Sequence, residues 1–366
     1  MKYDFINIFK QFDIDGEFIS CEPYGEGYIN ETFLLLVNQN GKQVKYILQR
    51  VNSKLFTDVP RLMNNIKLVT EFARKKIIER NGDPDRETLN IIPARDGNPY
   101  YTDGENYFRV YIFIEDAIGY DIVKDPQDYY YSAVAFANFA NLLAEFDASQ
   151  LYEPLPKFHD TSKRFNDLLI AIENNKSGRI DDVRAEIEFA LARKEMTTKL
   201  VDKLKSGEIP TKVTHNDTKL NNVLLDVKTG EPVSVIDLDT IMPGTICYDF
   251  GDAIRSGCNP VADDEKDLSK VVFDVNLFEH YVKGYVSTLR ESMTQSEADN
   301  LPLAAIMMTY ECGIRFLSDY LDGDVYFRTK RPDHNLDRCR TQFKLVSDME
   351  SMLPELNAIV AKYYNA

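Results

Sequence analysis

Val213-Thr-His215-Asn-Asp217-Thr-Lys219-Leu-Asn-Asn222 is the stretch of this sequence that says most about the fold. Beyond it, two short apolar runs, residues 223–226 and 233–236, flank Lys228-Thr-Gly230-Glu231, and Asp237 follows. Two apolar runs around a glycine-containing turn are typical of a β-hairpin. We therefore expect one β-rich element, entered from a polar loop, within a part of the chain that is otherwise helical.

The expected register of this hairpin brings two oxygen donors together. If the turn is centred between Thr229 and Gly230, Asn222 lies opposite Asp237, and directly opposed residues have Cβ atoms about 5 Å apart. An amide oxygen and a carboxylate at that separation suit Mg²⁺, which takes few protein ligands and keeps positions for water and phosphate. We predict Asn222 and Asp237 as magnesium ligands.

Asp217 lies five residues before Asn222, so it is expected beside the metal, where an incoming hydroxyl needs a proton acceptor. Lys219 can supply positive charge to a transferring phosphoryl group. Taken singly, each of these residues is more readily explained as part of a hydrogen-bonded turn. Together their order and spacing match the kinase signature H-x-D-x-K-x-x-N with a downstream Asp. The set therefore favours an ATP-dependent phosphotransferase.

Regions of different character lie before and after this stretch. In residues 1–117 an Asn40-Gly41 turn joins two apolar runs into a hairpin, and Asp58 caps a helix towards Arg80. Residues 118–366 are mostly helical. We predict an α+β fold with a small β-rich N-terminal lobe, residues 1–117, and a larger helical C-terminal lobe, residues 118–366. The remaining predicted elements are strands near 29–37, 45–51, 89–93 and 107–115, and helices over 129–148, 160–206 with a break at Gly178, 276–290 capped by Asn276, and 301–321.

Composition narrows the choice of partners. The chain has 366 residues and a net charge of -16, which argues against nucleic acid or an anionic membrane, because both require clustered Lys and Arg. Five scattered cysteines without a C-x-x-C pair favour neither a zinc site nor a disulfide framework. The first residues lack the apolar core of a signal peptide, and no apolar run is long enough to span a bilayer. We expect a cytoplasmic protein with small-molecule partners.

Residues 214–239 resemble the catalytic segment of the aminoglycoside phosphotransferase and choline kinase superfamily, which has the protein-kinase-like fold. The resemblance implies Asp217 as catalytic base, Asn222 and Asp237 as ligands of Mg²⁺, and ATP as co-substrate. It also implies that His215, together with Asp249 or Asp252, braces the loop. Over nearly the whole chain, further segments are similar to bacterial N-acetylhexosamine 1-kinases: GEGYINETF, YILQRVN, ASQLYEPLPKFHDT, VTHNDTKLNN, VIDLDTIMPG, YDFGDAIR and ECGIRFLSDYLDGDVYF.

The nucleotide contacts are predicted from the N-terminal lobe. Gly25 and Gly27 lie between strands, where a phosphate cover belongs, although a plain turn explains them equally well. Ile114 and Glu115 resemble the adenine-binding hinge, and an ordinary strand end is the alternative. Gln49-Arg50 stands where protein kinases carry a phosphate-binding Lys, so the residue that replaces this Lys stays open. Asp239 fits either a second metal contact or, as we slightly favour, a cap of the following turn.

For the acceptor, Arg315 and Tyr326 match positions that contact the sugar in the N-acetylhexosamine kinases, beside Asp217. Tyr28 stands where those kinases place His, so it also belongs to the expected acceptor site. The resemblance implies phosphorylation of the anomeric hydroxyl of N-acetylglucosamine or N-acetylgalactosamine. Two alternatives stay open: a kinase of the same superfamily for an amino alcohol or aminoglycoside, and a nucleotide-binding pseudokinase. Arg315 has a structural alternative too, pairing with Glu311 and Asp319 one helical turn away.

Overall fold

The computed structural model describes residues 3–25 and 29–366, and the chain divides into two compact units. The first unit contains Met1–Ile118, Glu145–Leu155 and Leu224–Met242. The second contains Gly119–Ala144, Pro156–Val223 and Pro243–Ala366. Strands dominate the first unit and helices dominate the second. Because two later segments join the N-terminal residues, the lobe boundary at residue 117 stays a prediction.

The first unit is built on one antiparallel sheet. Its elements are α1 (Phe5–Lys10), β1 (Glu17–Pro23), β2 (Glu31–Gln39), β3 (Lys42–Val51), α2 (Val59–Glu79), β4 (Ile91–Ile92), β5 (Tyr101–Thr102) and β6 (Tyr107–Ile112). The strand order is β1-β2-β3-β6-β4, and β5 also pairs with β6. One face of the sheet packs into a core that contains Phe12, Leu35, Leu48, Phe108 and Val110. The sequence analysis did not predict α1, β1 or β5.

Local sequence explains the two best-predicted elements of this unit. Gln39 pairs with Lys42, so Asn40 and Gly41 alone form the turn between β2 and β3. Their φ values of 53° and 80° are both positive, as a type I′ hairpin turn requires. At the start of α2, the Asp58 carboxylate accepts a hydrogen bond from a first-turn backbone N–H. The predicted hairpin and helix are both confirmed.

The second unit is a set of helices with one short strand pair. The elements are α3 (Pro126–Leu142), α4 (Thr161–Asn174), α5 (Arg184–Leu191), α6 (Lys199–Ser206), β8 (Lys212–Thr214), β11 (Met242–Gly244), α7 (Ile246–Gly257), α8 (Val275–Leu289), α9 (Gln295–Asp322) and α10 (His334–Tyr364). Gly251 lets α7 approach α9 closely, because a Cβ there would lie 2.5 Å from the Ala304 carbonyl oxygen. Across the described part of the chain, no helix is both long and apolar enough to cross a membrane.

Three helix starts differ from the prediction, because capping side chains lie further upstream. Asp125 caps α3, so that helix starts before residue 129 and ends at Leu142 rather than 148. Asp274, not Asn276, caps α8. Thr294 and Glu297 form a capping box at the start of α9, and this box, rather than the apolar pattern from residue 301, sets the boundary.

The predicted register around residue 229 is wrong. β7 (Ala117–Ile118), β9 (Val223–Asp226) and β10 (Pro232–Val235) form a sheet in the order β10-β9-β7. The Asp226 N–H donates to the Glu231 carbonyl at 2.9 Å, so the turn is centred one residue earlier than expected. The cause is an Asx turn, in which the Asp226 carboxylate accepts the backbone N–H groups of Lys228 and Thr229. Asn222 and Asp237 both lie outside the paired strands.

Candidate functional site

The loop of residues 214–222, here called the signature loop, is held by two carboxylates from α7 in the second unit. Asp249 accepts the backbone N–H of His215 at 3.0 Å and that of Asn216 at 2.7 Å. Asp252 accepts the backbone N–H of Thr218 at 3.0 Å. Asn216 has a φ of 64°, in the left-handed region. The two carboxylates therefore hold a backbone conformation that non-glycine residues rarely adopt.

The two carboxylates are in different electrostatic states. Burial raises the pKa of Asp249, although His215 and two backbone N–H groups oppose that effect. Burial also raises the pKa of Asp252, but the nearby Arg255 and Lys219 charges outweigh it and lower the pKa to about 2. Arg255 donates to the same Asp252 oxygen from Nε at 3.0 Å and from Nη2 at 2.7 Å. Asp252 therefore carries a negative charge at neutral pH where it contacts the signature loop.

Asp217 presents a half-buried carboxylate from this braced loop. Lys219 Nζ lies 2.6 Å from its Oδ1, and the Asn222 side-chain amide donates to its Oδ2 at 3.1 Å and to its backbone carbonyl at 2.8 Å. The backbone N–H of Asp217 donates to Nδ1 of the buried His215 at 3.2 Å. The structure thus brings four predicted residues of the second unit together and fixes the direction of the Asp217 carboxylate.

The predicted magnesium ligands have the right chemistry for that ion. Asn222 uses its amide nitrogen on Asp217, and its side-chain oxygen accepts no hydrogen bond from the described residues. Asp237, in the first unit, has a φ of 60° and precedes a 3₁₀ turn, Leu238–Thr240. No three His, Cys, Asp or Glu side chains group into a metal cluster within the described residues. An amide oxygen and a carboxylate oxygen are each of the kind that Mg²⁺ binds, and that these two residues hold one ion stays a prediction.

Asp239 has partners that were not considered from the sequence. Its carboxylate is buried and forms an ion pair with Arg109. The other carboxylate oxygen accepts the side-chain amide of Asn30 at 2.5 Å. Within the described residues neither oxygen accepts a hydrogen bond from the following turn, so the favoured cap is wrong, whereas the second metal contact stays a prediction. The Arg109 side chain is only 1% exposed, and a lone Arg in the apolar run of β6 was the signal that could have revealed it, because buried charges need partners.

Arg315 has no ion pair or hydrogen bond among the described residues. Its helical neighbours are used elsewhere: Glu311 binds His159 and Thr161, and Asp319 accepts three consecutive backbone N–H groups from residues 325–327. The half-buried guanidinium lies 5.1 Å from the Phe158 ring centroid and 5.5 Å from that of Phe327. The pairing alternative considered from the sequence is therefore wrong.

Two further residues lie near Arg315. Arg164 has a lowered pKa, first because of burial and then because of the Arg315 charge. Tyr326 has the opposite, smaller effect and raises the pKa of Arg164. Its side chain is 59% exposed, and its ring packs edge-on against Phe327. The predicted acceptor residues Arg315 and Tyr326 thus occupy a positively charged, aromatic part of the second unit.

His159, which sequence reasoning missed, joins this region to the signature loop. Its Nδ1 lies 2.9 Å from the Glu311 carboxylate, and its Nε2 lies 3.3 Å from the carbonyl oxygen of Asn216. Glu311 is one helical turn before Arg315 in α9. The FHDT sequence around His159 was part of the whole-chain resemblance, but nothing in it indicated this contact.

The predicted nucleotide residues are only partly described. Gly25 has a φ of 71°, whereas Gly27 and Tyr28 lie outside the described residues. Ile114 is buried, and its backbone N–H and C=O make no hydrogen bond within the described residues. The hinge prediction needs such backbone groups to be available to an adenine base. The carbonyl of Glu115 instead accepts Arg86, and its carboxylate pairs with Lys45 at 2.9 Å.

A known family matches most of this chain. The sequence model of a family described as the phosphotransferase enzyme family, APH, matches residues 20–267, which is more than half of the protein. The match includes the first-unit sheet and the signature loop, together with α7.

Several solved structures share the fold. The microcompartment-associated aminopropanol kinase is 15% identical, with a TM-score of 0.60 over 96% of this chain and 97% of its own. The aminoglycoside phosphotransferase from Alicyclobacillus acidocaldarius is 14% identical, with a TM-score of 0.62 over 97% and 96%. A spectinomycin phosphotransferase in complex with ADP and spectinomycin is 12% identical, with a TM-score of 0.52 over 99% and 98%. These likenesses confirm the predicted α+β, kinase-like fold class.

Proposed function

The chain belongs to the phosphotransferase enzyme family, and from that premise we propose that it transfers the γ-phosphoryl group of ATP to the anomeric hydroxyl of an N-acetylhexosamine. Membership of this family supports phosphoryl transfer to a small molecule. The identities of the phosphate donor, the metal ion and the acceptor are what we propose in addition. The ADP bound to the spectinomycin phosphotransferase is consistent with an adenine nucleotide as the donor.

The observation that carries the chemistry is the clamped carboxylate of Asp217. Lys219 and Asn222 hold it from two sides, and α7 fixes the loop beneath it. We assign to Asp217 the orientation of the acceptor hydroxyl and the removal of its proton as the oxygen attacks phosphorus. The loose transition state of phosphoryl transfer needs little more from a protein than positioning and positive charge. Lys219 supplies such charge next to Asp217.

Magnesium, with Asn222 and Asp237 as its protein ligands, supplies neutralisation of the phosphate oxygens when bound. His215, Asp249 and Asp252 keep the loop in shape and take no part in proton transfer. This assignment fits their burial and their contacts to backbone N–H groups. An intact set of base and metal ligands argues against the pseudokinase alternative.

The acceptor is inferred from the guanidinium of Arg315, which has no ion pair or hydrogen bond with any residue that the structure describes. This half-buried cation lies near two phenyl rings and near Arg164, and a ligand can provide the hydrogen-bond acceptor. The acetamide carbonyl and hydroxyls of an N-acetylhexosamine are such acceptors, and the apolar face of a sugar ring suits the phenyl rings. A cationic acceptor meets two guanidinium groups and is disfavoured.

The alternative acceptor is an amino alcohol or aminoglycoside, which the aminopropanol kinase and the two antibiotic phosphotransferases bring into consideration. At 12–15% identity these likenesses carry the fold and not the substrate. The two arginines weigh against this candidate, and a direct comparison of acceptors decides between them.

We expect Arg315→Ala to weaken N-acetylhexosamine use strongly while ATP affinity stays unchanged. The lost hydrogen bond to a sugar group is worth about 1–3 kcal/mol, or roughly 5- to 150-fold in kcat/KM. The assay is ADP release with N-acetylglucosamine, N-acetylgalactosamine, aminopropanol, choline and spectinomycin in turn. Arg193→Ala is the matched control, because Arg193 also lies over a phenyl ring but pairs with Glu350. Equal sugar kinetics in the two variants would remove Arg315 from the acceptor site.

A further inference from the structure

Arg109 is the centre of a buried polar network in the first unit that no predicted role explains. It lies in β6 directly opposite Gln49 of β3, and its Nε donates to the Gln49 side-chain oxygen at 2.9 Å. Its Nη1 pairs with Asp239. Gln49 belongs to the Gln49-Arg50 pair that stands where protein kinases carry a phosphate-binding Lys, and Arg109 places a buried positive charge directly opposite it.

Asp239 is held on both sides. Arg109 occupies one carboxylate oxygen and the Asn30 amide occupies the other at 2.5 Å. Asn30 in turn accepts the backbone N–H of Asn52 at 2.9 Å, just after β3. The carboxylate is therefore connected to two separate points of the sheet region.

The segment that carries Asp239 is also fixed at its end. Asn65 of α2 donates to the backbone carbonyl of Ile241 at 3.1 Å. Asp237 lies two residues before Asp239, in a left-handed conformation with a φ of 60°. Because Asp239 lies within the 3₁₀ turn Leu238–Thr240 and Asp237 is the residue just before that turn, the position of Asp239 restricts where Asp237 can lie.

A buried ion pair is weak evidence for stability, since apolar residues of similar volume often replace one without loss. Such a pair more often fixes the relative positions of the groups it joins, because charge-assisted hydrogen bonds are directional. The network around Arg109 matches that use: it joins β6, β3 and the 3₁₀ turn through directional contacts. Burial lowers the pKa of Arg109, but Asp239, Tyr111 and Asp237 raise it above its ordinary value, so Asp237 lies within electrostatic range.

We infer that Arg109 is a positioning residue which, through Asp239, sets the place of Asp237 as a magnesium ligand. This inference rests on the proposed function only in taking Asp237 as that ligand. Arg109 touches no reacting atom in this account. It acts on the metal through the backbone between Asp239 and Asp237, as partners behind metal ligands commonly do.

The test compares Asp239→Asn and Arg109→Lys with Arg109→Met and with the wild type. Calorimetric titration of ADP with and without Mg²⁺ gives the magnesium-dependent part of nucleotide affinity, and hydrogen exchange reports on residues 236–242. We expect Asp239→Asn to weaken the magnesium-dependent affinity on the order of 10- to 100-fold, to speed exchange in this segment, and to leave the KM of the acceptor within about twofold. Arg109→Lys, which keeps the charge, should lose less than Arg109→Met.

Glu350→Gln is the matched control, because it removes the carboxylate charge from a different arginine–carboxylate pair. In that pair, Arg193 Nη2 lies 2.6 Å from the Glu350 carboxylate. It should change neither measurement. If Asp239→Asn fails to fold by circular dichroism, Arg109→Lys carries the comparison alone. A folded variant with wild-type magnesium dependence and wild-type exchange in residues 236–242 overturns the inference.

The two proposals fail in different ways. A wild-type protein that phosphorylates no acceptor yet binds ADP in a magnesium-dependent manner that Asp239→Asn weakens would refute the proposed function and support the inference. A wild-type protein whose ADP affinity does not depend on Mg²⁺ would refute the inference, whatever its activity.

Discussion

Asp217 is the side chain on which the proposed chemistry depends most directly. Asp217→Asn keeps the size of the side chain and one of its two accepting oxygens but removes the proton acceptor. We expect kcat to fall about 10²- to 10⁴-fold while ATP affinity, measured by calorimetry, stays within about twofold. Lys219 and Asn222 lie on either side of it, so the loop itself should keep its shape. Turnover like that of the wild type would mean that another group orients the hydroxyl.

Asp252 gives a prediction about pH. Burial alone raises its pKa, but Arg255 and Lys219 lower it to about 2. A depressed pKa contributes stability above the unfolded value of about 3.9, and this contribution is lost as pH falls through about 2. A shift of this size corresponds to roughly 2 kcal/mol.

Asp252→Asn should therefore lower the free energy of unfolding at pH 7 by roughly that amount and flatten its dependence on pH between about 4 and 2. Urea denaturation at a series of pH values measures both effects. A variant with the same acid dependence as the wild type would show that the Arg255 pair does not hold Asp252 charged.

At the scale of elements, α9 is joined to the signature loop through two side chains. Glu311 of α9 binds His159, and His159 contacts the carbonyl of Asn216. The helix that carries the proposed acceptor residue Arg315 is therefore tied to the loop that carries the proposed base. This link explains why the charged side chain of Glu311 is buried in α9.

Glu311→Gln should disturb this tie without changing the volume of the side chain. We expect kcat to fall about tenfold, the effect of roughly 1.4 kcal/mol on the barrier, while ATP affinity stays unchanged. Glu186→Gln is the control, because Glu186 is also largely buried and pairs with Arg340 at 2.6 Å in the same unit. Equal kinetics for the two variants would indicate that Glu311 serves packing alone.

Elements with strong local signals could be predicted from the sequence, and elements defined by distant contacts could not. The Asn40-Gly41 turn and the Asp58 cap of α2 are encoded within a few residues. β1 was missed because its residues, EFISCEP, are mostly exposed and form a strand only by pairing with β2. The start of α9 was missed because its first turns are polar and depend on the Thr294 capping box.

The same distinction applies to the candidate site. The order of residues in the signature loop predicted which side chains gather around Asp217. Sequence could not predict the pairing of Arg109 with Asp239, because the partners are 130 positions apart. It also could not predict that Glu311 and Asp319 bind other groups and leave Arg315 without an ion pair in the described part of the chain. The Asx turn at Asp226 moved the centre of the hairpin turn by one residue, and this side-chain contact cannot be read from the composition of the turn.

At the scale of the whole molecule, an acidic chain must hold a polyanion. With a net charge of -16, the protein needs positive groups concentrated where phosphate and acceptor bind. The described structure contains cations in each unit: Arg109 in the first, and Lys219, Arg255, Arg164 and Arg315 in the second. Arg109 and Arg255 pair with Asp239 and Asp252, so the proposed function relies on Lys219 for the phosphate and on Arg315 for the acceptor.

The position of the phosphate on the product tests the central claim most directly. Phosphorus NMR of the reaction with ATP, Mg²⁺ and N-acetylglucosamine or N-acetylgalactosamine should show a phosphate coupled to the anomeric proton of the sugar. A phosphate on O6 would contradict the assignment of the acceptor hydroxyl. No reaction with either sugar, beside rapid phosphorylation of aminopropanol or choline, would contradict the sugar altogether and leave only the phosphotransferase family in place.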